Sequence, residues 1–333
     1  MPKSGAKPYL AFDFGGESGR AVLAHLQSGI LTTEEVRRFP NEPVEYGGSL
    51  HWDVARLWLE VRKALAGLEE VELAGIGVDA WGVDYALLGE RGELLENPYH
   101  HRDRRTEGVM EEVFRKVPRE EIYRETGIQF MPINTLYQLF AERRDSPKVV
   151  GAAKHLVTIP DLFNYWLTGN AVCEFTNATT TQMVDPVKRT WATGLMQRLE
   201  LPAELPAPIV EPGSIVGTLL PGIARGSSLA GTAVIAPACH DTGSAVAHLT
   251  AEATSRGLFV HQMAGFDPHK ASEVFHIPKG WEAIAVFAVG HPGDPNGLPD
   301  KLRERELAPR SRKPISEFVM SGEWGHPAKF LSE

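Results

Sequence analysis

The order of elements near the N-terminus constrains this chain most. Tyr9, Leu10, Ala11 and Phe12 form an apolar run that enters a Gly-rich turn. A second run follows at 20–26 and a third at 30–39, with Ser28 and Gly29 between them. This spacing predicts three strands on tight connections. Asp53 then predicts a helix N-cap, because Val54, Trp58, Val61 and Leu65 recur on one helical face. Residues 73–78 and 83–88 predict two further strands, the second followed by a turn at 90–93. Strands, a helix and a strand again predict an α/β layer structure. Helical patterns recur at 105–115, 119–125, 134–144 and 161–167. Residues 201–212 are Pro-rich and predict irregular chain, whereas 214–220 and 232–237 predict strands. A helix is expected from Asp241, with Ala245, Val246, Leu249 and Ala253 on one face and Gly257 as its stop. Beyond it, 258–263 and 283–289 predict strands around a helix at 267–275.

The chain has 333 residues, enough for two domains or one large α/β unit. A net charge of -9 argues against general nucleic-acid binding, which needs clustered Lys and Arg. Cys173 and Cys239 have no metal-ligand spacing and are too few for a disulfide framework, so a cytoplasmic setting is expected. Residues 1–8 have no signal-type apolar run, and no apolar stretch reaches membrane-spanning length. One segment, 301–313, is locally basic.

Three short constellations carry chemistry. The first is Asp13, Phe14, Gly15, Gly16, Glu17, Ser18, Gly19 and Arg20, between two expected strands. Its glycines open the backbone to phosphate oxygens, Ser18 adds a hydroxyl and Arg20 a cationic fork. Asp13 could hold Mg²⁺ through water. The same string also reads as a plain Gly-rich hairpin. In the second, Asp79, Ala80, Trp81, Gly82, Val83 and Asp84 place two carboxylates around a Trp-Gly pair at a strand end. Trp81 offers a wall for a sugar's C–H face, Gly82 allows close approach, and the carboxylates accept hydroxyl protons. A β-turn with a core Trp fits these residues as well. The third is His240, Asp241 and Thr242. Asp241 suits a base for phosphoryl transfer to a hydroxyl, with its neighbours orienting the acceptor. It also suits a helix cap.

Taken together, residues from about Tyr9 to about Ala247 resemble the FGGY carbohydrate kinases. The match extends through Tyr99 to Thr106, Gly127 to Phe130, Asn134 to Leu139, Pro160 to Phe163, Leu167 to Gly169 and Thr176 to Gln182. The resemblance implies an actin-like, ribonuclease-H-like first domain over 1–247. It implies ATP-dependent phosphorylation of L-rhamnulose at O1, within rhamnose degradation, with ATP and Mg²⁺ and no nucleic-acid or membrane partner. By residue, Gly16, Glu17, Ser18, Gly19 and Arg20 would meet the ATP phosphates. Gly82, His240 and Thr242 would contact the sugar, and Asp241 would accept the proton. Gly16 and Glu17 stand where the family usually has small residues, and Glu17 must point away from phosphate.

The family's second-domain phosphate loop, of Ser-Ser-Gly-Thr-Trp type, does not follow Ala247. Since such kinases close two domains over ATP and sugar, impaired transfer is expected. Residues 248–333 instead resemble the C-terminal part of nitroreductase-family flavoproteins, a partial α/β tail, so the chain reads as chimeric. In that resemblance Gln262, Gly265, Arg310 and Arg312 are the FMN candidates. The alternatives to a sugar kinase are therefore an FMN-dependent oxidoreductase and a non-catalytic sugar-binding remnant.

Overall fold

The computed structural model describes residues 6–28, 30–241 and 243, and beyond them 253–254, 256, 258–263, 267–277, 286–291, 293–297, 300 and 303–304. The chain divides into two compact units, Met1–His248 and Leu249–Glu333.

The first unit opens with an antiparallel meander of β1 (Tyr9–Phe14), β2 (Ser18–Gln27) and β3 (Ile30–Pro40). A hairpin of β4 (Pro43–Tyr46) and β5 (Ser49–Trp52) leads into α1 (Val54–Ala66). Asp53 caps α1 by accepting from the Arg56 backbone N–H at 3.0 Å. That helix is the crossover that lets β6 (Gly75–Ala80) return parallel to β1. After β7 (Tyr85–Leu88) come α2 (Val109–Lys116), α3 (Arg119–Thr126), α4 (Thr135–Asp145) and α5 (Pro147–Ala152). The chain then rejoins β7 through β8 (His155–Thr158) and enters α6 (Ile159–Thr168). Short elements follow: β9 (Cys173–Glu174), α7 (Phe175–Thr180), β10 (Val184–Asp185), β11 (Thr190–Trp191), α8 (Thr193–Arg198) and β12 (Ile209–Val210). The main sheet is completed by β13 (Ser214–Thr218) and, after α9 (Pro221–Ala224), by β14 (Ala233–Ala236). Its six strands run in the order β13-β14-β6-β1-β2-β3.

Side chains alternate across this sheet. Leu10, Phe12 and Phe14 of β1, with Ile76, Val78 and Ala80 of β6, are fully buried on one face. Helices α1 and α6 cover that face: the Phe14 and Phe163 rings lie 4.6 Å apart, and Trp58 meets Trp166 at 5.3 Å. The opposite face carries Tyr9, Ala11 and Asp13 from β1 and Gly77 and Asp79 from β6, none of them fully buried. A second apolar core gathers Val113, Ile122, Leu136, Leu139 and Leu195 from α2, α3, α4 and α8, with Leu199 just after α8.

Most expected elements occur with shifted ends. The expected helix over 105–115 is broken. A 3-10 turn at Arg104–Thr106 stops at Glu107, and Gly108, at φ +74°, restarts the chain as α2. The left-handed backbone there favours glycine, which has no Cβ to clash. The hairpin of β4 and β5, the strand β8 and the short helix α7 were not expected from periodicity, since each is too short to show one. In the 201–212 stretch Ile209 and Val210 pair parallel with Cys173 and Glu174. The helix expected from Asp241 lies largely outside the described residues.

In the second unit, a strand over Phe259–Met263 pairs antiparallel with another over Val286–Gly290. Between them a helix over Pro268–Val274 is capped by Asp267, whose side chain accepts from His269 and Lys270 backbone N–H groups. The element order matches the expected strand, helix and strand, with ends moved by a few residues.

Phe12 sits fully buried on the central strand. Phe12→Ala is expected to destabilise the first unit by about 3–5 kcal/mol, read as a lower urea midpoint by tryptophan fluorescence.

Candidate active site

Three chain segments meet at one end of the main sheet. In the parallel pairing of β1 and β6, Asp13 lies opposite Asp79. Ala80 pairs parallel with His240 across an isolated bridge, and its N–H donates to the Cys239 carbonyl at 3.0 Å. The strand ends therefore bring Asp13, Asp79 and the His240–Asp241 segment together. Asp79 also lines a hollow of about 280 Å³ whose other walls include Ala11, Gly77, Ile235 and Pro237. Burial among these groups, then the charges of Asp13 and Asp241, pushes the Asp79 carboxyl up to about 7. Burial also lowers the His240 imidazole, against the pull of Asp241. Asp241 starts a helical turn, while Thr242 lies outside the described residues.

The loop between β1 and β2 is a tight hairpin braced from outside. The Gly15 N–H donates to the Ser18 carbonyl at 2.9 Å. Asn41 holds both ends of the turn: its N–H donates to the Glu17 carbonyl and its side-chain amide to the Gly15 carbonyl, at 2.9 and 2.8 Å. Nothing in the sequence singles out Asn41, since it stands alone between β3 and β4. The three glycines do different things. A Cβ on Gly16 would meet nothing within 4 Å, so that backbone is open to a ligand. A Cβ on Gly19 would come within 2.3 Å of the Phe39 ring, so packing under the loop by itself requires glycine there. Glu17 is exposed, consistent with a side chain turned away. Arg20 is not a free cationic fork: its Nε and Nη2 both donate to Asp13 Oδ2, at 2.7 and 2.6 Å.

The strand end after β6 departs from the reading of two hydroxyl-binding carboxylates. Asp84 is buried and its carboxylate is consumed inside the protein. It accepts from Trp52 Nε1 at 2.6 Å, Trp81 Nε1 at 2.9 Å and Gln138 Nε2 at 2.8 Å. His101 adds Nδ1 at 2.9 Å. Burial pushes this carboxyl up, but the hydrogen bond and charge of His101, with Gln138 and Trp52, outweigh it and hold the group below its ordinary range. Trp81 is likewise a core residue, 7% exposed and tilted against Trp52 at 4.1 Å, and not a sugar-facing wall. Asp79 alone of the pair keeps its carboxyl at the strand end.

Gly82 and Val83 form the turn between them. A Cβ on Gly82 would lie 2.9 Å from Thr180 Cγ2, so glycine is required by the approach of α7. Val83 has φ +68°, a costly backbone for a β-branched residue. Three side chains hold it there. Its N–H donates to Thr180 Oγ1 at 2.9 Å, and its carbonyl accepts from Thr135 Oγ1 at 2.5 Å and Gln138 Nε2 at 3.2 Å.

Of the flavin candidates, Gln262 lies on the strand opposite Phe287 in the second unit. Gly265, Arg310 and Arg312 lie outside the described residues. Among the described residues no group of His, Cys, Asp and Glu could hold a metal ion directly, and no helix is long and apolar enough to cross a membrane.

Asp79 generates a pH test. Its carboxyl ionises near pH 7 in the folded chain, against 3.8 ordinarily. As pH rises the unfolded chain loses this proton first, so stability drains between about pH 4 and about 7. Asp79→Asn removes that loss. The variant's Tm advantage over the parent is expected to grow across that window and then level. A constant difference would overturn the assignment.

The N-terminal domain profile of the FGGY family of carbohydrate kinases matches residues 8–247. A rhamnulokinase of Pectobacterium atrosepticum is 43% identical over 247 residues, covering 72% of this chain and 48% of that protein. One from Bacteroides thetaiotaomicron is 40% identical over 248 residues, covering 73% and 50%. The chain thus spans about half the length of the curated relatives it matches. Among solved structures, xylulose kinase from Rhodospirillum rubrum superposes with a TM-score of 0.66 at 22% identity, covering 78% of this chain and 56% of that one. A carbohydrate kinase from Novosphingobium aromaticivorans gives 0.64 at 25% identity, covering 75% and 51%. These likenesses bear out the expected sugar-kinase fold, and over residues 8–247 the chain belongs to the FGGY family of carbohydrate kinases.

Proposed function

We propose that residues 1–247 form the sugar- and phosphate-binding half of an ATP-dependent ketose kinase, with L-rhamnulose as the ketose phosphorylated at O1. The observation that carries this reading is the meeting of three strand ends: Asp13, the Asp79–Gly82 turn and the His240–Asp241 segment. The rhamnulokinases at 43% and 40% identity support the choice of sugar.

In this reading Asp241 accepts the O1 proton as the hydroxyl attacks the γ-phosphate in line. Gly82, His240 and Thr242 orient the ketose, and His240 stays neutral at pH 7 because burial lowers its imidazole. The Gly16–Arg20 hairpin faces the ATP phosphates. The open backbone at Gly16 supports this role, and Arg20 takes part while tied to Asp13. A Mg²⁺ held through water suits the hard oxygen donor of Asp13 at the strand end. When bound, it would neutralise phosphate charge. A cytoplasmic setting, consistent with the two buried free cysteines, belongs to the same reading. Residues 248–333 are read as a nitroreductase-like fragment, supported by the strand, helix and strand order of that unit.

The test is a coupled ADP-release assay on the intact chain, with L-rhamnulose calorimetry and flavin absorbance on the same sample. Sugar-dependent ADP release that falls at least about a hundredfold in Asp241→Asn supports the kinase. Sugar binding without ADP release replaces it with a non-catalytic sugar-binding protein. Neither binding nor turnover rejects the sugar site. A bound flavin would support the fragment's FMN reading, and a colourless chain would reject it.

A further inference from the structure

Two motifs have no part in the chemistry above: Pro160 to Phe163 and Thr176 to Gln182. The structure brings them behind the site as one chain of buried and half-buried hydrogen bonds. Asp161, fully buried at the start of α6, accepts from Thr158 Oγ1 at 2.7 Å and from the Glu174 N–H at 2.9 Å. Glu174, also fully buried, passes the constraint on. Its Oε2 accepts from the Cys239 N–H at 3.0 Å, from Thr176 Oγ1 at 2.6 Å and from the Asn177 N–H at 3.2 Å. Its Oε1 accepts from the Thr176 N–H at 2.8 Å. The Thr176 hydroxyl in turn accepts from the His240 N–H at 3.4 Å. Asn177 completes the link, with its side-chain amide 3.4 Å from the Trp81 carbonyl and 3.5 Å from the Cys239 carbonyl.

We propose that Glu174, with Thr176 and Asn177, is a positioning clamp that fixes the His240–Asp241 segment against the Trp81–Gly82 turn. The clamp rests on the sugar-site reading, because it acts by holding the two sugar-contacting segments in register. A carboxylate is needed at this point. Four donors converge on Glu174, three of them on one oxygen. A Gln amide in either orientation would turn its own N–H groups toward one of those donor sets. Thr176 is needed as a hydroxyl because it both donates to Glu174 and accepts from His240. The buried Cys239 and Asn177 N–H groups would be left unsatisfied by the loss of the Glu174 carboxylate, which costs more than an exposed bond.

The experiment compares the full chain with Thr176→Val, Thr176→Ser and Glu174→Gln by L-rhamnulose calorimetry, thermal melting and amide hydrogen exchange. Thr176→Val and Glu174→Gln are each expected to raise the sugar Kd at least about tenfold, the scale of a lost hydrogen bond to a charged group. Thr176→Ser, which keeps the hydroxyl, is expected to stay within about twofold of the parent on the same scale. Exchange at Cys239 and His240 should quicken at least about tenfold in Glu174→Gln, while exchange at Ala21 and Leu23 on β2 holds, because the opening is local. The proposal is overturned if Thr176→Val binds sugar like the parent, or if Ser binds as weakly as Val. If Thr176→Val does not fold, Ser and Glu174→Gln decide by the same criteria. A parent chain that takes up no L-rhamnulose fails the sugar-site reading instead. Exchange at Cys239 and His240 then judges the clamp alone, and unchanged rates in Glu174→Gln would refute it.

Discussion

The parallel pairing of β1 with β6 is the constraint on which the rest of the first unit depends. Parallel neighbours cannot be joined by a hairpin, so the chain must leave the sheet and return through α1. That crossover needs an apolar face to land on, which Leu10, Phe12, Phe14, Ile76 and Val78 supply. Side-chain alternation then commits the remaining residues, Asp13 and Asp79, to the other face at adjacent strand ends. Burial at this strand end, and after it the neighbouring charges of Asp13 and Asp241, push the Asp79 carboxyl up.

Around this frame the protein uses buried carboxylates as fasteners. Asp84 joins β5, the turn after β6, the loop at His101 and helix α4 in one set of hydrogen bonds. Asp161 and Glu174 do the same for α6, α7 and the His240 segment. Burying a carboxylate costs several kcal/mol unless its oxygens are satisfied. Here each of the three carboxylates draws donors from separate elements. Such an arrangement tolerates only one relative placement of those elements, which suits a site whose groups come from distant parts of the chain. The strained backbone of Val83, held by Thr135, Gln138 and Thr180, belongs to the same design.

The early strands and α1 could be read from the sequence because apolar runs and the Asp53 cap are local signals. Asp13, Asp79, Gly82, His240 and Asp241 stand out in the sequence as candidates because they lie in short polar or Gly-containing strings beside apolar runs. The roles of Asp84, Trp81 and Gly19 could not be read there. Asp84 and Asp79 look alike in sequence, five residues apart around a Trp-Gly pair. Only the donors from Trp52, His101 and Gln138 distinguish a fastener from an open carboxylate. The packing demand on Gly19 is invisible until Phe39 folds against it.

The sequence by itself determined the α/β order of the first unit, its crossover helix and the short polar strings that gather at the strand ends. These rest on nearest-neighbour periodicity and capping, which act within a few residues. Tertiary structure alone decided which carboxylates remain at the site and which are consumed in the core. It also decided that Glu174 and Thr176 stand behind His240, some sixty residues further along the chain. Hydrogen-bond satisfaction and desolvation depend on what is packed alongside in space, and no local pattern of residue types encodes that.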